Sequence, residues 1–359
     1  MKYHLAMGRP LDLTAIAQNA QAGHCPRHVM GALSLALGAT VHQPGKNPVS
    51  LTDKLRAKVS SSPAQWALAR HLATKLTSDD LIFCTGEDVG IPIAALCGAK
   101  RDRPKIAVFI HNLDRPRGYI ATQLFQLAQR IDLFVTNARP QVDFLRQKLH
   151  LPESQVYLLP EQTDTHFFTP GARTPGQTRP TIVSVGLEKR DYRTLAAATQ
   201  DLDADVKISG FSQDARVLAQ AFPETLPANM TRQFYEWPDL VQLYRDADVV
   251  VVSLVENKFC AGLTTMMEAM ACQRPVVVTQ TEGLMTYLTP QIATVINPGD
   301  VAAMQNAITQ LLSHPQEAAA QAQRGYEQVV QHHNSEDYVE KLVDRLASLS
   351  DISTPLVTS

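Results

Sequence analysis

The chain has 359 residues, 45% of them hydrophobic and 19% charged, which excludes disorder, collagen and coiled coil and leaves room for two domains of ~100–200 residues each. Thirty-three basic residues against 35 acidic ones give a net charge of −2, so no overall charge points to nucleic acid. The balance is uneven: residues 1–170 hold 19 basic and 13 acidic side chains, and residues 171–359 hold 14 and 22.

Short apolar runs rich in β-branched residues alternate with stretches of helical spacing from the start, the pattern of a parallel sheet covered by helices on both faces. The strands expected in the first half are Tyr3–Met7, Thr40–His42, Leu81–Cys84, Ile106–Ile110, Leu133–Thr136 and Val156–Leu159. Between them the spacing predicts helices near His28–Leu37, Pro63–Leu76, Ile91–Cys97, Ile120–Gln129 and Pro140–Leu149. Residues Thr169–Pro180 read TPGARTPGQTRP, with three prolines, two glycines and no apolar periodicity, which is a linker composition.

Beyond it the alternation restarts. Strands are expected at Thr181–Val185, Val206–Ile208, Val249–Ser253, Val276–Thr279 and Thr294–Ile296. Helices are expected near Arg193–Thr199, Gln213–Ala221, Pro238–Tyr244, Leu263–Met270, Val301–Leu312, Pro315–His332 and Glu336–Leu349. The expected division is a first domain at 1–170, a linker at 171–180, a second domain at 181–335, and a closing helix with a polar tail at 336–359 that returns to the first domain. Two doubly wound units in series place a ligand cleft at the carboxyl ends of their strands.

The five cysteines are scattered and odd in number, with no CxxC, and read as thiols of a reducing compartment. The amino terminus has one early lysine and no apolar stretch long enough for a signal peptide, so the cytoplasm is the expected location.

Residues 249–279 hold the densest signal: a buried strand, a small-residue loop, a helix and a second buried strand. Ala261 and Gly262 would let backbone N–H groups approach a ligand, and the helix start at Leu263, Thr264 and Thr265 favours an anion such as phosphate. Glu268, one turn in, either accepts hydrogen bonds from a ribose diol or is a solvated helix carboxylate.

The string GLTTMMEAMACQRPVVVT, after an apolar strand ending in Ser253, resembles the donor-binding signature of family-four, retaining GT-B glycosyltransferases. DADVVVVSL, SVGLEKRDYRTLAAA, VYLLPEQTDTHFFTPG and VFIHN resemble other segments of that family in the same order, so the similarity runs from about Leu81 to Leu312. The resemblance implies two Rossmann-like domains facing a central cleft. It implies a hexose, glucose by base rate, moved from a nucleotide sugar, with a UDP-sugar as co-substrate, no further cofactor and no metal. The acceptor would be a small molecule, sugar or lipid.

It also implies roles for residues. The family has two glutamates eight positions apart; Glu268 matches the second, and the first is Cys260 here. Glu256 and Asn257 either take over the sugar contact or are ordinary loop residues. Gly186 ends the first strand of the second domain, and Lys189 or Arg190 supplies positive charge to the diphosphate, where the family's arginine after the glycine is Leu187. His111 matches the family's histidine near the sugar's primary hydroxyl, and Glu87, at another strand end, would meet the acceptor.

Asp203-Ala204-Asp205 and Asp246-Ala247-Asp248 match DxD, yet one lies in a polar turn and the other leads into a buried strand, so turn and helix-end roles are expected. No GxGxxG is present, which disfavours a dehydrogenase. The basic first half also offers a surface for peripheral contact with the inner face of a membrane. The competing readings are a nucleotide-sugar epimerase of the same fold and a catalytically degenerate nucleotide-sugar-binding protein, the latter motivated by Cys260.

Overall fold

Runs of four or five apolar residues, too short to build a helix and buried on both faces, form the centres of two parallel sheets in the computed structural model, which describes residues 1–211 and 220–351. Residues Met1–Ala15, His28–Pro160 and Tyr338–Ser359 group into one compact unit, and Ile16–Arg27 with Glu161–Asp337 into a second.

The first sheet contains β1 (Lys2–Ala6), β2 (Thr40–His42), β3 (Asp80–Cys84), β4 (Lys105–Phe109), β5 (Leu133–Thr136) and β6 (Val156–Leu158), in the spatial order β2-β1-β3-β4-β5-β6. The second contains β7 (Thr181–Val185), β8 (Asp205–Ser209), β9 (Met230–Arg232), β10 (Val249–Val252), β11 (Val276–Thr279) and β12 (Thr294–Ile296), in the order β12-β11-β10-β7-β8-β9. Every pairing is parallel; Val249 of β10 stands opposite Ile182 of β7, and Val250 opposite both Val183 and Val276. In the second sheet the chain builds outward from β7 to β9, then returns to β10 on the other side. The connections that follow β7 and β10 therefore leave towards opposite sides, which makes the carboxyl ends of these two strands the switch point of the sheet.

Eleven of the twelve strands match the expected runs to within a residue at either end. The exception is β9, three residues at the sheet edge with a solvent-facing centre, too short and too polar to register as an apolar run. Two helices were also silent in the apolar pattern: Leu13–Gln21 buries no side chain, and Leu51–Arg56 buries only Asp53. The helix expected from Ile91 starts a turn earlier, at Glu87, and carries Pro92 inside it. Gly90 allows this close approach, since a Cβ there would meet Val108 Cγ1 at 2.3 Å. The segment expected as one helix at Pro140–Leu149 is a short α-helix, Arg139–Asp143, followed by a π-turn at Phe144–Lys148. The helix expected at Gln213–Ala221 lies almost entirely outside the described residues.

The closing helix, Ser335–Asp351, sends Tyr338, Leu342, Leu346 and Leu349 into the same apolar core as Leu5 and Phe83 of the first sheet. The proline-rich stretch at 171–180 is fastened within the second unit by both DxD pairs. Asp246 accepts from the Thr174 N–H and hydroxyl at 2.8 and 2.9 Å, Asp248 pairs with Arg173, and Asp203 and Asp205 share Arg179.

On one flank of the first sheet, His4 Nδ1 lies 3.0 Å from His42 Nε2, and His4 Nε2 lies 3.1 Å from Asp80. Burial, then His4, His71 and Lys75, hold the His42 imidazole down to about 4. The unfolded chain binds that proton near pH 6.5 and the folded chain refuses it, so stability falls as pH drops from about 6.5 towards 4 and levels off below. In melting curves between pH 7 and pH 4, a His42→Asn variant is expected to lose less of its midpoint than the wild type over that window. Parallel losses would contradict the assignment.

Candidate functional site

In the second unit the site starts from two glycines. Gly186 ends β7 at φ +97°, and Gly262 precedes the helix Leu263–Ala271 at φ +83°, both in the left-handed region that a side chain strains. A Cβ on Gly186 would lie 2.5 Å from Arg190 Nη2, and one on Gly262 would lie 3.3 Å from Arg190 Nη1 and 2.5 Å from Val252 Cγ1. The guanidinium thus occupies the space that the two missing side chains leave free.

Arg190 is buried and held on three sides. Nε donates to the Val185 carbonyl at 2.8 Å, Nη1 to the Glu188 carbonyl at 3.1 Å, and Nη2 to the Thr265 hydroxyl at 2.9 Å. Burial lowers its pKa from the ordinary value, with Tyr192, Tyr244 and Glu268 pulling the other way. The Tyr192 side chain also hydrogen-bonds to it. Thr265 belongs to the first turn of the 263–271 helix, whose start has no side-chain cap. A fixed cation and the positive end of a helix therefore share one spot, at the carboxyl ends of β7 and β10.

Glu268 is also buried. Tyr244 donates its hydroxyl to Oε2 at 2.7 Å, across 24 residues of sequence. Burial pushes the carboxyl up to about 7, against the pull of the Tyr244 hydroxyl and Arg190.

Lys189 sits at φ +56°, and its carbonyl accepts the Val255 N–H at 2.9 Å, which ties the loop after β7 to the loop after β10. Glu256 is exposed. The Asn257 amide is turned into its own loop, donating to the Val255 carbonyl at 2.8 Å and accepting the Phe259 N–H at 3.1 Å. Cys260 and Ala261 are buried, and Thr264 is exposed. The Cys260 thiol donates to the Gly283 carbonyl at 3.2 Å, and burial, with Glu161 adding to it, pushes it up to about 12. It supplies no charge at neutral pH.

The first unit builds a separate constellation at the ends of β3 and β4. Glu87 opens the helix Glu87–Leu96, and its Oε2 accepts the His111 N–H at 2.9 Å and faces His111 Nδ1 at 3.1 Å. Its Oε1 accepts the Asn112 N–H at 3.0 Å. Burial would raise this carboxyl, but the His111 bonds outweigh it and hold it below the usual range. Both oxygens of Glu87 thus help to shape the His111 loop. Asp88, raised by burial, takes the Gln65 amide at 2.6 Å.

The sequence brought forward Gly186, Arg190, Gly262, Leu263, Thr265 and Glu268, and the structure gathers Gly186, Gly262, Thr265 and Glu268 around Arg190. It gave no sign of Tyr244, a helix residue among apolar neighbours, or of the Glu87–His111 contact between strands. Nor did it single out Phe211 and Phe234, which follow β8 and β9. They are 43% and 59% exposed, with ring centroids 6.0 Å apart. Among the described residues no group of three or more His, Cys, Asp or Glu is placed to hold a metal ion.

Comparison with known proteins agrees with this architecture. Residues 190–344 match the family described as glycosyl transferase-like. Sucrose-phosphate synthase from Thermosynechococcus elongatus superposes with a TM-score of 0.74 at 18% identity, over 98% of this chain and 100% of that one. HepE of Anabaena, solved in complex with UDP-glucose, gives 0.68 at 14% identity, over 97% and 100%. An α,α-trehalose 6-phosphate synthase from Burkholderia multivorans gives 0.71 at 13% identity, over 99% and 100%. No curated protein matches the sequence. The class is therefore a GT-B fold, shared along the chain. More particularly, the segment from Arg190 to Asp344, which starts at the buried guanidinium itself, is the part of the chain that is similar to the glycosyl transferase-like family.

Substituting Gly262→Ala combines a left-handed φ with a 2.5 Å contact to Val252 Cγ1, and is expected to cost about 1–3 kcal/mol in urea unfolding. Gly176, also left-handed but with open space around it, serves as control: Gly176→Ala should cost only the φ strain, about 1 kcal/mol.

Proposed function

We propose that the chain moves a hexose, glucose first among candidates, from a nucleotide sugar to an acceptor hydroxyl with retention of configuration. The observation that carries this reading is the Arg190 guanidinium, fixed between Gly186 and Gly262 at the uncapped start of the 263–271 helix. Breaking the glycosidic bond adds a negative charge to a departing diphosphate that already carries two. Donors already aligned in a site of low dielectric stabilise that charge without reorganising at the moment of reaction. The positive charge of Arg190 and the first-turn N–H groups of Thr264 and Thr265 fill this role, with Lys189 adding charge from the loop edge.

Glu268 holds the ribose diol, and the exposed rings of Phe211 and Phe234 offer faces to the base. His111, oriented by Glu87, serves the transferred sugar in the first unit. Retention follows when the acceptor oxygen enters on the face the diphosphate leaves, with a phosphate oxygen taking its proton; this route asks for no protein nucleophile and no metal. The HepE complex, whose bound ligand is UDP-glucose, supports UDP-glucose as the first donor to try. No helix among the described residues is long and apolar enough to cross a membrane, and the cytoplasm is the proposed place of action.

A second reading, a nucleotide-sugar-binding protein without transfer, is favoured by Cys260. A neutral buried thiol occupies the position of the sugar-binding acid, and Glu256, the substitute, is exposed.

The donor half is tested by calorimetry with UDP-glucose and other nucleotide sugars. Glu268→Ala should weaken the best donor by about ten-fold or more, the loss of a hydrogen bond to a charged group. Sugar hydroxyls donate to the ionised carboxylate, and the free carboxyl titrates near 7. Donor affinity should therefore rise with pH through about 7 and flatten above it, and Glu268→Gln should abolish the slope. Absence of binding by any nucleotide sugar at millimolar concentration sinks the proposal. For transfer, a mass-spectrometric acceptor screen followed by NMR of the anomeric proton reports reaction and stereochemistry. Binding without transfer or hydrolysis selects the second reading.

A further inference from the structure

The first unit exposes two apolar pairs that the site above does not use. In the helix Leu51–Arg56, Asp53 is turned inward, where Arg70 pairs with it at 2.9 Å, so the outward charge is entirely basic. Leu51 and Leu55, one turn apart, remain 83% and 65% exposed beside Lys54 and, just past the helix, Lys58. The helix Pro116–Leu124 contains no acidic residue. Ile120 and Leu124, again one turn apart, are 57% and 59% exposed, with Arg117 three positions before Ile120.

Both helices are anchored at one indole. The Arg56 guanidinium lies 5.6 Å over the Trp66 ring, and the Phe125 ring, just past the second helix, is 5.3 Å from it. The two helices that carry the pairs therefore end against the same side chain.

Four large aliphatic side chains held in water at two fixed turns call for a cover, and their basic neighbours call for a negative one. We propose that this surface docks on an anionic lipid bilayer, with Leu51, Leu55, Ile120 and Leu124 entering the interface and Lys54, Lys58, Arg115 and Arg117 meeting headgroup phosphates. A shallow apolar insertion or a basic patch alone holds a protein weakly, whereas the two together give stable attachment. A second copy of the chain is a poorer cover, because a two-fold contact through this face brings lysine against lysine and arginine against arginine. The inference does not depend on the sugar-transfer reading.

The test is co-sedimentation of the full chain with vesicles of phosphatidylcholine alone and of an equal mixture with phosphatidylglycerol. Binding is expected to the mixed vesicles only and to weaken with added salt. Leu55→Ser with Leu124→Ser, and separately Lys54→Glu with Lys58→Glu, should each lower the partition by about ten-fold or more. All four positions are exposed, so melting midpoints should stay at the wild-type value and donor titrations should be unchanged. No binding to the mixed vesicles overturns the proposal, as does binding that both variants retain. A concentration-dependent dimer abolished by the same substitutions overturns it too, in favour of a second copy. Donor calorimetry on the same samples shows separately whether the transfer reading stands.

Discussion

The candidate donor site depends on keeping one guanidinium buried and charged where the loops after two neighbouring strands meet. Burying a cation without partners is costly, and Arg190 avoids that cost with two carbonyls and a hydroxyl that come from the end of β7, its own loop and the 263–271 helix. Those partners can converge only because Gly186 and Gly262 have no side chains. The sheet order then sets the place: β7 and β10 are neighbours whose connections leave in opposite directions, so the cation lies at the switch point of the sheet.

Glu268 shows the same economy. A carboxyl in this position is driven towards neutrality by burial, and Tyr244 and Arg190 limit how far. The result is a group that titrates near neutral pH and gains its charge most readily when hydroxyl donors surround it. Cys260 marks the opposite case. At a position where the resembled family carries an acid, a thiol closed on the Gly283 carbonyl offers packing and no charge.

Much of this was legible beforehand, because a parallel strand buried on both faces must be apolar along its length and must stop where its loop begins. Val249–Val252 and Val276–Thr279 announce themselves in this way, and the glycines and threonines that follow mark the loop and helix start. The edge strand Met230–Arg232 does not, since one side of it meets water. Neither does the choice between Lys189 and Arg190: adjacent residues of like charge look equivalent in a sequence, and only the left-handed turn at Lys189 sends the next side chain inward.

The sequence by itself determined the alternation of strands and helices, the restart after the proline-rich stretch, and the loops that carry the candidate donor residues. These are local properties, written in periodicity and in where apolar runs end. Tertiary structure alone decided which side chains meet: Tyr244 with Glu268, Glu87 with His111, both DxD pairs with the 171–180 stretch, and two distant helices with Trp66. Such contacts join residues tens of positions apart, and their partners are set by strand order and helix packing, which leave no spacing in the chain to be read.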